Sequence, residues 1–278
     1  MLLGYSNMGL NMIIPKKDYN CGSSVLTRLA FAIVMCCHVS VSFAWGPTGH
    51  RVTGWIAEQH ISKKVKKELA RILKGQSLAI ASTWMDEVRS DSAYDYISDW
   101  HWVTIPEGTT YQQSEKNNRG DILEAIERLT AALKSKALKP DEEREYLKML
   151  IHLIGDVHQP LHVGGGNDRG GNDIKVTWFR GESNLHRVWD SDMIDDTKLS
   201  YTELAVSLEK PDATTISSWQ KSNVHTWATE SLGYRDQVYR YGNGKLGYKY
   251  AYENFHIVRY RLLQAGIRLA GVLNEIYG

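Results

Sequence analysis

Between His152 and His162 the chain reads His152-Leu153-Ile154-Gly155-Asp156-Val157-His158-Gln159-Pro160-Leu161-His162, and several of its side chains are of types that hold cations. His152 and Asp156 stand four residues apart, which on a helix places an imidazole and a carboxylate one turn apart on one face. A pair at that spacing can converge on a single ion. Pro160 cannot continue a helical hydrogen-bond ladder, so the helix must end before it, with His162 in the turn. The spacing recurs in His186-Arg187-Val188-Trp189-Asp190. One His-x3-Asp pair serves an ion pair as readily as a metal. Two such pairs with a third histidine between them make a metal site the stronger reading.

All but His38 of the ten histidines lie after residue 44. His50, His101 and Asp86 extend the set to Asp86, Asp156, Asp190, His50, His101, His152, His162 and His186, all of ligand types that suit zinc. His60, His158, His225 and His256 lack such company and read as structural. His158 follows Asp156 by two residues, which on a helix turns it to a different side.

The elements that must position these residues are mostly helical. Val52, Trp55, Ile56 and Ile61 mark a first amphipathic helix, and Val65, Leu69, Ile72 and Leu73 a second that closes at Gly75. Ile80, Trp84 and Val88 predict a third, carrying Asp86 and Arg89. Residues 98–106, rich in aromatic and β-branched types, predict a strand or extended loop, and 107–119 have no regular pattern. Helices are predicted over 121–133, 141–157, 185–194, about 214–232 and about 248–276. The glycine-rich stretch from Gly164 to Asn172 must be a loop. A strand over 174–179, turning at Arg180-Gly181-Glu182, supplies minor β content. No repeat of solenoid length and no Pro/Ser-rich linker divides the chain, so the expectation is a single, mainly α domain with a small β-hairpin.

Composition is that of an ordinary globular protein, with 42% hydrophobic and 23% charged residues in 278. The net charge of +1 and the lack of a basic run give no global electrostatic sign of nucleic acid, so a polyanion would be attracted by local charge such as bound metal. Residues 1–44 read as a secretory signal. Lys16, Lys17 and Arg28 precede the apolar run from Leu29 to Cys37, and Ser42-Phe43-Ala44 fits a cleavage site. The run is shorter than the ~20 residues of a membrane span, and initiation at Met12 would give a more usual leader. Cleavage after Ala44 predicts a secreted or periplasmic domain over 45–278; a monomer without stable membrane association is the expectation. It would retain none of Cys21, Cys36 and Cys37, so disulfides could not staple it, whereas bound metal could.

The motifs Trp45-Gly-x-x-Gly-His50, Trp84-Met-Asp86-x-x-Arg89, Trp100-His101, His152 to His162, Gly170-Gly171-Asn172 and Asn184-Leu185-His186-x-x-Trp189-Asp190 occur in one order and spacing. In these the chain from residue 45 onward resembles the secreted, zinc-dependent type I nucleases of the S1/P1 family. The resemblance implies a mainly helical zinc-dependent phospholipase C/nuclease P1-like fold and three zinc ions. It assigns Asp86, His101, His152 and Asp156 to one ion. His50, a bridging Asp156 and the amino nitrogen and carbonyl oxygen of Trp45 would hold a second, and His162, His186 and Asp190 a third. Asp86, Asp156 and Arg89 become catalytic, with Arg89 gripping phosphate, while Trp102 and Asn172 bind a nucleobase. The implied substrates are single-stranded DNA, RNA and 3′-nucleotides, with 5′-phosphate products. Thr104 departs from the fungal pattern, which has a base-contacting aspartate there, so base preference does not transfer; the fungal disulfides are missing as well. Two alternatives remain: a zinc-dependent phospholipase C, whose last ligand pair typically ends in Glu where this chain has Asp190, and a secreted zinc-binding protein without turnover.

Overall fold

The computed structural model describes residues 45–278; the leader expected over 1–44 lies outside them. Among the described residues, helix α1 spans Pro47–His60, α2 Lys63–Ile72, α3 Leu78–Ala81, α4 Trp84–Glu87, α5 Ile122–Ser135 and α6 Pro140–Asp156. After the β-hairpin come α7 Leu185–Arg187, α8 Met193–Asp195, α9 Tyr201–Val206, α10 Ala213–Lys221, α11 Val224–Gly233, α12 Arg235–Val238 and α13 Tyr248–Tyr277. A parallel pair joins β1 Val103–Thr104 to β2 Val163–Gly164. A second sheet has the order β4-β3-β5, with β3 Lys175–Trp178 antiparallel to β4 Gly181–Asn184 and parallel to β5 Lys245–Leu246. The fold is mainly α, as the periodicity predicts.

Helix α6 positions the central motif. Pro140 at its first turn, followed by Asp141, Glu142 and Glu143, suits a helix N-terminus, where the amide hydrogens are unpaired and the dipole favours negative charge. Its last two turns are closed to solvent on every side: Leu147, Leu150, Ile151, Leu153 and Ile154 are all fully buried, together with His152 and Asp156. A helix apolar all round belongs inside a protein. Polar groups carried in with it are costly unless they find partners. Between Val157 and Leu161 the chain passes from one apolar core, built mainly on α2, α5 and α6, to a second around Trp45, Val188, Trp189 and the first half of α13. Helix α13 packs along α1 at a glycine: a Cβ at Gly266 would stand 2.5 Å from Ile56 Cβ.

Local chemistry overrules the periodic pattern in several places. The single helix expected around Ile80, Trp84 and Val88 is two short helices and a 3-10 turn. It breaks where the hydroxyls of Ser82 and Thr83 donate to the carbonyls of Ala79 and Ile80. Residues 98–101 are not extended but end a 3-10 segment, Ser92–His101, begun by an Asp91 cap; extension starts at β1. The helix expected over 214–232 is split between α10 and α11 because Asn223 accepts from Thr226 N–H and starts a new helix. At the end of α2 the left-handed residue after the cap is Lys74 (φ 52°), and Gly75 follows one position later. The hairpin turns at Phe179-Arg180, since Gly181 already pairs with Trp178. Helices α9 and α12 and strands β2 and β5 have no counterpart in the pattern-based reading, and Gly164, expected in the loop, pairs with Thr104 in β2.

Candidate metal centre

Asp156 ends α6 and is wholly buried. Its two oxygens face different ways. Oδ1 lies 3.2 Å from His50 Nε2, while Oδ2 is 2.9 Å from His101 Nδ1 and 3.2 Å from His152 Nε2. Asp86, on α4, brings its Oδ1 to 3.7 Å from His152 Nε2. Two adjoining groups result, His50 with His152 and Asp156, and Asp86 with His101 and His152. His162, His186 and Asp190 form a third, and within each group the potential ligand atoms lie within 4.8 Å of one another. Every side chain singled out in the two His-x3-Asp pairs, together with His50, Asp86, His101 and His162, therefore falls in a cluster that could hold a metal.

The donor set fits cations. His152 Nδ1–H donates to Ser82 O (2.7 Å), His162 Nδ1–H to His101 O (2.6 Å) and His186 Nδ1–H to Gly170 O (2.6 Å). Each bond commits one ring nitrogen to the backbone and aims Nε2 into a cluster, the usual outer support of a metal-binding imidazole. His162 and His186 thereby point their Nε2 atoms at each other across 3.2 Å, beside an Asp190 oxygen 3.1 Å from His186. Lone pairs so placed repel unless positive charge sits among them. His50 Nδ1 and His101 Nε2 are buried without a hydrogen-bond partner, and Asp86 Oδ1, Asp156 Oδ1, Asp190 Oδ2 and His50 Nε2 have only the ion-pair contacts of the clusters themselves. Leaving a buried polar group unsatisfied costs ~1–3 kcal/mol, so this many in one place signals a site built for ions.

Electrostatics agree. Burial, with His152 close by, lowers the His50 pKa, and burial takes His101 down to about 4 against the pull of Asp156. Both rings stay neutral near pH 7, as ligands must. Burial opposes charge on Asp156 too, but His152 and His162 outweigh it and hold the carboxyl well below the usual carboxylate range. For His162 burial is likewise outweighed, by Asp156 and Asp190, and its pKa rises to about 9. Positive charge is favoured at that point.

The surrounding residues explain how the parts meet. Gly155 precedes Asp156 because a Cβ there would stand 3.0 Å from His50 Nδ1. Trp45 is fully buried, its indole N–H donating to Gly155 O at 2.9 Å, and Gly46 N–H donates to Asp190 O at 2.8 Å. The start of the described chain is thus tied to the segments carrying Asp156 and Asp190. A π-type turn over Val188–Asp192 carries Asp190. Arg89 places a guanidinium nitrogen 2.9 Å from Asp86 Oδ1. Trp102 follows His101 and is 40% exposed, too open for a core aromatic. Asn172 sits half-buried in the glycine-rich loop, its amide donating to Arg169 O. Thr104 lies in β1 against that loop, where a Cβ on Gly166 would meet its methyl at 2.8 Å. His158, read as structural, is buried away from the clusters: its Nδ1–H donates to Ile154 O, and Arg268 approaches Nε2 at 3.0 Å.

Sequence reasoning gave no role to Gln159, nor to the carbonyls of Ser82, His101 and Gly170 that aim the imidazoles. A backbone carbonyl has no sequence signal. Gln159 had one, since it sits inside the motif, but nothing in the spacing says what its amide touches.

Residues 45–278 match the S1/P1 nuclease family along their whole length, which makes this helical scaffold with its three His/Asp clusters that of a metal-dependent hydrolase. The chain belongs to that family, whose members hydrolyse phosphodiester bonds. It is similar to Endonuclease 4 of Arabidopsis thaliana, at 31% identity over 92% of this chain and 96% of that protein. It is also similar to Nuclease S1 of Aspergillus oryzae (28% identity, 58% of each chain) and Nuclease P1 of Penicillium citrinum (29%, 54% of this chain and 58% of that protein). Among the described residues no helix is long and apolar enough to cross a membrane.

Proposed function

We propose that this chain is a zinc-dependent endonuclease acting on single-stranded DNA and RNA, leaving 5′-phosphates and also dephosphorylating 3′-nucleotides. The observation that carries the reading is Asp156, which presents one oxygen to His50 and the other to His101 and His152. A carboxylate so placed can serve two cations at once. The proposed ligands are Asp86, His101, His152 and Asp156 for one ion, His50, Asp156 and Trp45 for its neighbour, and His162, His186 and Asp190 for the third. Zinc bound there would supply hydroxide at neutral pH and neutralise charge developing on the leaving oxygen.

The chain's own residues do the rest. Arg89, beside Asp86 at the edge of the paired clusters, offers a planar fork to a phosphate. Trp102 offers an exposed ring one residue from His101, and stacking on it requires a base free of a duplex. Asn172, carried by the loop next to Thr104, is assigned to a base edge, with its side-chain carbonyl as the acceptor while its amide holds Arg169 O. His50, His152 and Asp156 are fully buried, while Asp86 and Arg89 keep some exposure and mark the side from which a phosphate would approach. With Asp190 rather than Glu ending the last ligand pair, the nuclease reading stands ahead of a phospholipase C. An apolar leader followed by a cysteine-free chain fits export.

Metal analysis joined to a substrate panel tests this. Three zinc ions per chain, cleavage of single-stranded DNA and RNA, release of phosphate from 3′-nucleotides and little action on duplex DNA are expected. Turnover of a phosphatidylcholine emulsion without nucleic-acid cleavage would overturn it, as would a zinc-loaded chain inert on all of them.

A further inference from the structure

Gln159 lies three residues after Asp156 and three before His162, and it is fully buried. Its side chain makes two hydrogen bonds. Oε1 accepts from Leu161 N–H at 2.5 Å, and Nε2 donates to Asp190 Oδ1 at 2.6 Å. The first bond settles the second: an amide hydrogen must face the carbonyl end of the side chain, so the NH2 end must face Asp190. Its own N–H donates to Asp156 O at 2.9 Å. One residue is therefore bonded to the backbone of a residue assigned to the paired clusters and to the carboxylate of a residue assigned to the third.

The consequence falls on Asp190. With Oδ1 engaged by the amide, Oδ2 is the oxygen left beside His186 Nε2 at 3.1 Å, whereas Oδ1 stands 3.8 Å from His162 Nε2. The main chain of Asp190 is fixed as well, by Gly46 N–H. The geometry points to Gln159 as a positioning residue that orients Asp190 so that a single oxygen, Oδ2, is presented to the third cation. This inference rests on the proposed reading of His162, His186 and Asp190 as a metal site. Gln159 itself touches neither substrate nor cation; it acts through Asp190 alone.

Two substitutions separate this role from mere packing. Gln159→Glu keeps the volume and the acceptor for Leu161 N–H but replaces the donor with a second carboxylate oxygen against Asp190. Gln159→Met keeps the length and removes both bonds, and serves if the buried Glu prevents folding. Loss of an outer support of this kind typically weakens metal affinity by ~10–100-fold. Zinc content at buffered free zinc, with anomalous scattering at the zinc edge to locate each ion, is measured for wild type, both variants and His162→Ala. The expected result is selective: either folded variant loses, by that factor, affinity for the ion that His162→Ala loses, and keeps the other two. Third-site affinity within about twofold of wild type in a folded variant would overturn the inference, as would equal weakening of all three ions. A wild-type chain with no ion at the third cluster would instead overturn the functional reading, and the inference with it.

Discussion

Replacing Asp156 with Asn separates a bridging carboxylate from an ordinary one. Without metal the exchange removes the Asp156 charge that, with Asp86, raises the His152 pKa against burial. With zinc it is severe, because both clusters that meet at Asp156 lose an anionic ligand. A site held at a free-ligand concentration 1,000 times its Kd stabilises the folded state by about 4 kcal/mol. Two such sites contribute about 8 kcal/mol, and for a domain of this size each kcal/mol moves Tm by roughly 2–4 °C. The zinc-dependent rise in Tm should therefore shrink by roughly 16–32 °C in the variant and retain only the third site's ~8–16 °C. Differential scanning calorimetry at buffered zinc, with and without chelator, reads this directly, and metal analysis should find one ion in place of three. A variant that binds three zinc ions with an undiminished thermal gain would refute the bridging argument. One that is equally destabilised with and without zinc would show Asp156 to be a structural ion-pair partner.

Trp102→Ala should weaken single-stranded substrate by ~1–3 kcal/mol, or roughly 5- to 150-fold in Kd, with zinc content unchanged; a loss of fold in place of affinity would contradict its exposure. A protein beginning at Trp45 should hold one more zinc than the same protein with a single Gly added before it, since only a free α-amine can lose a proton to metal. Equal metal content and equal DNA cleavage in the two would exclude the terminal amine as a ligand. Glu230→Gln should cost somewhat less than the ~3–5 kcal/mol typical of breaking a fully buried pair, because Glu230 is a third exposed while its partners Arg261 and Arg268 are buried. Burial opposes its charge, but bonds from Arg268 and Arg261 prevail and lower its pKa below 4.5. Its stabilising effect is thus present above about pH 4.5 and lost as pH falls through the lower folded value. Wild-type Tm should fall more steeply than that of Glu230→Gln across this acid window, and parallel acid profiles would refute the linkage.

The ligand residue types, and the helix that carries the first His-x3-Asp pair, were legible in the chain. His152 and Asp156 meet because a helix turns once in about four residues, and that periodicity is local. Helices α1, α2, α5, α6 and α13 were legible for the same reason: their apolar spacing repeats over several turns. The breaks at Ser82-Thr83 and Asn223 were not, because a hydroxyl or amide that competes with the backbone acts at one residue and leaves the periodic pattern intact. Tertiary structure alone decided that His50, 106 positions before Asp156, faces one of its oxygens while His101 and His152 face the other. It alone decided that the carbonyls of Ser82, His101 and Gly170 aim three imidazoles, and that Gln159 takes hold of Asp190. Sequence carries what neighbours along a helix can do for one another. The direction of a lone pair across the core is set by packing between distant segments, and no spacing along the chain encodes it.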